Sequence, residues 1–265
     1  NPRDFAYTYS LLPGYKQAFP SFKFAQYSAY GQDEMAINDN FKLTAGLRLD
    51  MPTYVNVQEI QSHPLVAGLS FENGKKVDTG VLPKNRIMIS PRVGFNWDVN
   101  GDRSLQMRGG TGVFTGRVPT VWIVAQSGDA GLLQVTQAFQ GAANLPFASM
   151  PFNPDPNAYL PVTQPAPGQV IPSSVSTTDP NFRFPQTWKT SLALDSKLPF
   201  GIVGSVEGIL NKDLNVAFGK NVNLVAPTAL NAAGYPDTRG IYPLANKDKF
   251  INPLTNAGQA VANGD

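Results

Sequence analysis

Cysteine is absent from the 265 residues, which removes disulfides, thiolate metal ligands and cysteine nucleophiles together. The compartment stays open, because oxidising surroundings permit disulfides without requiring them. Histidine occurs once, at His63, so a multi-histidine metal site and a two-histidine proton relay are excluded. Charge is scarce at 15% and nearly balanced, and a net charge of +2 gives no electrostatic case for a nucleic-acid partner. No apolar run approaches the ~18 residues of a membrane-crossing helix, and the densest, residues 121–125, is short. The opening Asn1-Pro2-Arg3-Asp4 lacks a basic stretch followed by an apolar one, so no signal peptide is expected. With no initiating methionine either, the chain is expected to be mature, truncated or a piece of something longer.

What is present is alternation with a period of two. From residue 41, Phe41, Leu43, Ala45, Leu47, Leu49 and Met51 alternate with Lys42, Thr44, Gly46, Arg48 and Asp50. Further on, Ile87, Ile89, Pro91, Val93, Phe95, Trp97 and Val99 alternate with Met88, Ser90, Arg92, Gly94, Asn96 and Asp98. A third run sets Trp188, Thr190, Leu192, Leu194, Ser196 and Leu198 against Lys189, Ser191, Ala193, Asp195 and Lys197. Residues 105–115 and 202–214 alternate more weakly, the latter through Ile202, Val206, Leu210 and Leu214. Residues 27–37 read as extended, but the adjacent Asp33 and Glu34 fall on opposite faces and leave that strand unoriented. Phe5, Tyr7, Tyr9 and Leu11 form a short opening run.

The connections carry as much information as the strands. Asn38-Asp39-Asn40, Asn100-Gly101-Asp102-Arg103 and Pro199-Phe200-Gly201 are compact turns. Between the hairpins lie long segments, about residues 52–85, 117–185 and 215–265. Unstructured loops beyond about 12–15 residues are uncommon inside compact domains, whereas membrane barrels alternate short periplasmic turns with long extracellular loops. Several runs also reach the about 9–11 residues that a tilted spanning strand needs. Trp97, Trp188 and Phe41 stand at run ends, where barrel aromatics form interfacial girdles. Alternation alone fits a soluble sandwich equally well. Strand length and loop asymmetry together favour the membrane.

Turning the strand at residues 41–51 over would set Lys42 and Arg48 against lipid, at about 2–4 kcal/mol each near the midplane. Lys42, Arg48, Asp50, Arg92, Asp98, Arg108, Lys189 and Asp195 are therefore expected to face a lumen.

Other motifs carry less. Gly109-Gly110-Thr111-Gly112-Val113-Phe114-Thr115-Gly116 resembles a phosphate-cradling loop, but the Walker lysine is missing. Pro119 and the β-rich Val121-Trp122-Ile123-Val124 also argue against a following helix, so a glycine-rich barrel strand is expected. His63, ahead of Pro64 in a proline-bounded loop, is expected to be solvent-exposed. Asp33 and Glu34 cannot share one acid/base cleft, and Asp98-Val99-Asn100-Gly101-Asp102 reads as a turn rather than a calcium loop. No metal, cofactor or catalytic residue is expected. In the segment 117–185, Trp122, Gln126, Asp129, Gln134, Gln137, Phe139 and Gln140 mix aromatics with amides ahead of the proline-rich 146–172. Trp122, Gln126, Asp129, Gln134 and Phe139 are candidate ligand contacts, against the alternative that they pack the loop upon itself.

Tyr30-Gly31-Gln32-Asp33-Glu34 followed by Thr44-Ala45-Gly46-Leu47-Arg48-Leu49-Asp50 resembles the barrel of TonB-dependent outer-membrane receptors. Ser90-Pro91-Arg92-Val93-Gly94-Phe95-Asn96-Trp97, Arg108-Gly109-Gly110-Thr111-Gly112, Phe114-Thr115-Gly116-Arg117 and Pro185-Gln186-Thr187-Trp188-Lys189-Thr190 resemble the Oar-type receptors of Bacteroidetes, which carry a carboxypeptidase-regulatory domain. The resemblance runs from about residue 22 to 224, with loops matching only loosely. It implies an all-β, 22-stranded antiparallel barrel in the outer membrane of a Gram-negative bacterium, plugged by an N-terminal domain. Such a barrel imports a scarce nutrient ligand with energy from the TonB–ExbB–ExbD complex, and a surface lipoprotein over the mouth is a further possible partner. No plug or TonB-contacting segment is found here, and six clear strands, or eight with the weak end runs, make the whole of residues 1–265 a part of such a barrel.

Import without covalent catalysis is thus the leading expectation, with Arg48, Arg92 and Arg108 as wall-to-plug salt-bridge candidates. A passive or structural small barrel and a secreted soluble β-rich module binding a glycan or peptide remain as alternatives. An enzyme ranks last for want of a nucleophile–base pair.

Overall fold

A computed structural model describes residues 4–15, 18, 20–55, 58–139, 141, 151–172, 174–230 and 238–252. The chain opens with β1 (Phe5–Ser10) and then runs through β2 (Lys23–Asn38) and β3 (Phe41–Val55). After the short helix α1 (Pro64–Gly68) come β4 (Met88–Asp98) and β5 (Leu105–Thr115). Helix α2 (Val121–Gly128) and β6 (Gln134–Phe139) precede the last long pair, β7 (Gln186–Lys197) and β8 (Val203–Asn215). Six of these strands form one antiparallel sheet in the order β2-β3-β4-β5-β7-β8. Among the described residues no helix is long and apolar enough to cross a membrane, and all the long elements are strands.

Each tight turn closes through its own local hydrogen bonds. Asn38 Oδ1 accepts the Asn40 backbone N–H at 2.9 Å. Between β4 and β5 the Asp98 carboxylate accepts the N–H groups of Gly101 and Arg103, both at positive φ, as short polar turns require. Between β7 and β8, Phe200 and Gly201 take positive φ and Leu198 donates to the Ile202 carbonyl at 2.8 Å. All three turns lie at one end of the sheet, and every long connection lies at the other.

The register joins the strands' apolar sides into one continuous face. Leu43 pairs with Phe95, Ala45 with Val93, Gly109 with Leu192, and Leu194 with Val206. No second sheet covers this face among the described residues, and Val93 and Leu192 are 48% and 51% exposed. A soluble sandwich would bury that surface, so the sandwich expectation fails. Trp97, paired with Phe41, marks the turn end of the same face, and Trp188 marks the loop end beside Lys212. Strand β2 is now oriented: Glu34 lies on the polar face, where it pairs with Lys42 at 3.4 Å, and Asp33 lies on the apolar face opposite Ala45.

Three sequence expectations are corrected here. The opening run does not extend the wall; β1 pairs with β6 in a separate two-stranded ribbon, through Tyr9 opposite Val135 and Phe5 opposite Phe139. The segment 117–185 is therefore not one open loop. Its β-branched run Val121-Trp122-Ile123-Val124 is helical in α2, because Ile123, Gln126 and Ser127 bury one helical face, and packing overrides intrinsic preference. The glycine-rich run before it is strand β5, as expected.

Candidate functional site

The polar face carries its charges in paired sets. Asp50, 3% exposed, accepts from Gln26 at 3.1 Å, Ser28 at 2.6 Å and Arg48 at 2.9–3.1 Å. Arg108 donates Nε to Asp195 at 2.9 Å, and the Ser205 hydroxyl donates to the same carboxylate. Arg92 lies with its guanidinium 4.5 Å from the centre of the Phe114 ring, and the Lys189 ammonium stands 5.9 Å from that centre. Asp98 is taken up by its turn. Arg48, Arg92, Arg108, Lys189 and Asp195 thus share one face by register, and Arg48 and Arg108 have carboxylate partners within the wall itself, with no plug needed to neutralise them.

At the loop end this polar face is covered. Met88, Val118 and Phe184 form a buried cluster with Phe24, Tyr54, Phe182 and Ala217 packed against it. Phe24 and Tyr54 pair directly, and Met88 pairs with Asp50, so the cluster grows from the side that bears the charges. The loops fold over the polar face and leave the apolar face bare.

Above that cover the long segments build a second core around three fully buried polar side chains, His63, Thr79 and Gln126. His63 caps α1: its Nδ1 accepts from the Val66 N–H at 3.3 Å. Its Nε2 lies 2.9 Å from the Val170 carbonyl, which only accepts, so Nε2 carries the proton. The expected exposed histidine is instead a structural tie between segments more than a hundred positions apart. The one signal was Pro64, a residue suited to the first helical position. Gln126 donates Nε2 to the carbonyls of Thr79 at 2.8 Å and Val81 at 2.9 Å, and its Oε1 accepts from the Thr178 N–H at 3.0 Å.

That arrangement redistributes the candidate contacts of the sequence. Gln126 is fully buried and its amide is spent on backbone groups, so it is a brace and offers nothing to a ligand. Asp129 accepts from the Ser176 hydroxyl at 3.1 Å, Gln134 pairs with Ser10 in the ribbon, and Phe139 stacks on Phe5 with ring centres 6.2 Å apart. Trp122 alone of the five stays largely exposed, on the outer side of α2. The five residues do not converge on one site. Gln140 and residues 146–150 lie outside the described residues.

A larger cavity lies elsewhere, at residues that no motif or periodicity singled out. A cleft of about 800 Å³ opens between residues 66–81, 171–180, 218–223 and 250–252, lined by Val66, Phe71, Ile171 and Phe250 among others. None of the five candidate residues lines it. Its walls are joined side to side: Asn252 N–H donates to Asn223 Oδ1 at 2.9 Å, Asn223 Nδ2 donates to the Asn252 carbonyl at 3.1 Å, and Asn252 Nδ2 reaches the Ser70 carbonyl at 2.8 Å. Lys75 pairs with Asp179 at 3.4 Å, and Lys220 pairs with Glu72. The volume falls within the usual range for ligand pockets, about 300–1,000 Å³.

The Asn181 backbone N–H, and then Lys75, hold the Asp179 carboxyl below the usual carboxylate range, against partial burial that pushes it up. Because the folded value is depressed, this contribution is complete above the unfolded carboxylate value and is lost as pH falls through the folded one. Lowering the pH from about 6 to about 3 is therefore expected to speed backbone hydrogen exchange at Lys75 and Asn181, after correction for the intrinsic rate, while Leu192 and Val93 in the sheet stay protected. Equal protection at both pH values would remove Asp179 as a clasp of the cleft.

Among the described residues no group of three or more metal-ligating side chains comes together. Compared with known sequence families, residues 6–264 match the family described as outer membrane beta barrel domain. No curated protein and no solved structure matches.

Proposed function

Because this chain belongs to the outer membrane beta barrel domain family of Gram-negative bacteria, we propose that it is the wall and loop region of an energy-coupled importer. Its finer type is the TonB-dependent receptor of the Oar-like kind found in Bacteroidetes, and it performs no covalent chemistry. The bare apolar face meets lipid, the polar face lines the lumen, the turns are periplasmic and the folded loops extracellular. Nutrient binds among those loops and passes inward beside the wall. A plug domain borne outside residues 1–265 gates passage and receives energy from TonB–ExbB–ExbD.

The observation that carries this reading is the pre-formed cleft in loops that are themselves anchored over the lumenal face by the Phe24–Phe184 cluster. A capture device needs both a shaped site and a controlled passage. Six strands leave the outer edges of β2 and β8 unpaired among the described residues, and hydrocarbon tolerates no open edge, so further strands complete the wall.

The test uses the full-length protein in its own cells, with a panel of labelled oligopeptides, ferric chelates, cobalamin and oligosaccharides. For at least one probe, uptake is expected to require this gene and to fall about tenfold or more when TonB is deleted or the proton gradient is dissipated. Uptake indifferent to TonB, together with a steady single-channel conductance in planar bilayers, would instead establish the passive barrel.

A further inference from the structure

The cleft among the loops spends its charged side chains and leaves part of its backbone unspent. Lys75 pairs with Asp179, Lys220 pairs with Glu72, and Lys76 Nζ donates to the carbonyls of Gly68 and Leu69, both at 3.0 Å. Asp78 accepts from the Ser62 hydroxyl at 2.6 Å and from the Gly80 N–H at 2.8 Å. Every charged side chain of the lining is thus engaged within the protein, and Asn223 and Asn252 are bonded to each other. Most of the remaining lining is apolar, with Val77, Val175, Phe218 and Phe250 on different walls.

One wall is straight chain: residues 174–179 run without helix, strand, turn or bend. Within it the Thr178 N–H goes to Gln126 Oε1 at 3.0 Å, on the side of α2. Successive backbone groups of an extended chain point to opposite edges, so the N–H and C=O groups of Val175 and Thr177 point away from Gln126. No residue of α2 lines the cleft, whereas Val175 and Thr177 both do. Among the described residues neither of the two makes a backbone hydrogen bond. An open strand edge, two residues apart in its bonding groups, therefore faces the cavity. Such an edge is a template for a further strand, and an extended peptide laid along it takes its affinity from main-chain hydrogen bonds and its specificity from alternate side chains. Other ligand chemistries find less to hold. No arginine lines the cleft to grip an anionic chelate, and no tryptophan or tyrosine lines it to stack on a sugar ring.

We propose that the cleft binds a short, extended oligopeptide with uncharged, apolar side chains, its main chain paired with Val175 and Thr177. The proposal rests on the reading of the cleft as the capture site and deepens it by naming the class of ligand. Each of the two residues exchanges both its N–H and its C=O with one peptide residue, as in an antiparallel ladder, and the apolar walls take the side chains.

The test needs neither TonB nor a gradient, nor any variant of the protein. Full-length protein in phospholipid nanodiscs is equilibrated with a pool of capped tetrapeptides randomised over alanine, valine, leucine and phenylalanine, and the retained members are identified by mass spectrometry. A retained peptide at saturation is expected to slow backbone hydrogen exchange at Val175 and Thr177 about tenfold or more, while Asp39 in the β2–β3 turn exchanges as before. N-methylating alternate amides of that peptide, with its side chains kept, is expected to weaken binding about tenfold in the frame that removes the paired donors and little in the other frame. Maltotetraose and ferric citrate are expected to leave both residues unchanged. If no peptide is retained, if retained peptides leave Val175 and Thr177 exchanging freely, or if neither N-methyl frame matters, the proposal falls. Slowing by maltotetraose or ferric citrate in place of peptide overturns it as well. Any of these failures leaves TonB-dependent uptake of another probe standing, and uptake indifferent to TonB would remove the importer without touching a peptide bound at this edge.

Discussion

Arginine in place of Leu192 is expected to destabilise the folded protein in a bilayer by about 2–4 kcal/mol, whereas arginine at the adjacent Ser191 is expected to change stability by less than about 1 kcal/mol. Leu192 stands mid-strand in β7, its side chain over Gly109, on the face that no second sheet covers. Ser191 points the other way, opposite Gly110 and Ile209, toward the face that already carries Arg92 and Lys189. The measurement is urea unfolding of the full-length protein in lipid vesicles, read as loss of the compact band on unheated gels. The same pair of substitutions separates the two environments by sign. In water, a charge at a half-exposed leucine costs little and relieves an apolar patch; in lipid it sets a charge against hydrocarbon. A Leu192→Arg protein as stable as its parent would place this face against water and remove the membrane reading with it.

The facing of the wall was legible because a period of two admits only two registers, and the charges select one. Lys42, Arg48, Arg92, Lys189 and Asp195 fall on one side by count alone, and the pairing of β3, β4, β5 and β7 keeps them there. Strand ends were less legible. The run from Phe41 was expected to stop at Met51, ahead of Pro52, but β3 continues to Val55. The reason is local: pairing with β4 ends at Asp50 opposite Met88, and Tyr54, two residues beyond Pro52, donates its N–H to the Asn85 side chain rather than to β2. Successive odd or even backbone groups point the same way, so the missing N–H of Pro52 faces the side where no ladder remains. Asp33 and Glu34 were illegible for a different reason. Their strand, β2, is the edge of the described sheet and carries one carboxylate on each face, so charge alone cannot choose between its two registers.

The loops were illegible almost throughout. Periodicity reports a residue's relation to its own element, while the cleft is assembled from four segments spread between residues 66 and 252. Composition did point to aromatics and amides in the segment 117–185, and of the two readings it left open, packing of the segment upon itself is the one that Gln126, Asp129, Gln134 and Phe139 follow. A glutamine in an apolar helix face reads as a surface contact only if the partner carbonyls are unknown.

Those carbonyls make Gln126 the second large effect. Gln126→Ala is expected to leave the carbonyls of Thr79 and Val81 and the N–H of Thr178 without their partner in a fully buried place, together with a cavity where the side chain stood. A buried polar group left unpaired costs about 1–3 kcal/mol. With three such groups and partial relief by entering water, a loss of about 3 kcal/mol from the loop assembly is the expected outcome. The loss is regional. Residues 79–81 and 178 should exchange their backbone hydrogens much faster, while Gly94 and Leu192 in the sheet keep wild-type protection, because the wall is held by its own ladder and by lipid. Gln126→Glu separates bonding from volume: it keeps the acceptor for Thr178 but replaces a donor with a carboxylate facing two carbonyls, so it should loosen the same residues at least as much as alanine. If both variants instead loosened the sheet and spared the loops, the loop core would be part of one cooperative unit with the barrel. If the wall stays rigid while the cleft opens, the loop assembly and the wall are separable units, and the cleft can be lost while the barrel remains assembled in the membrane.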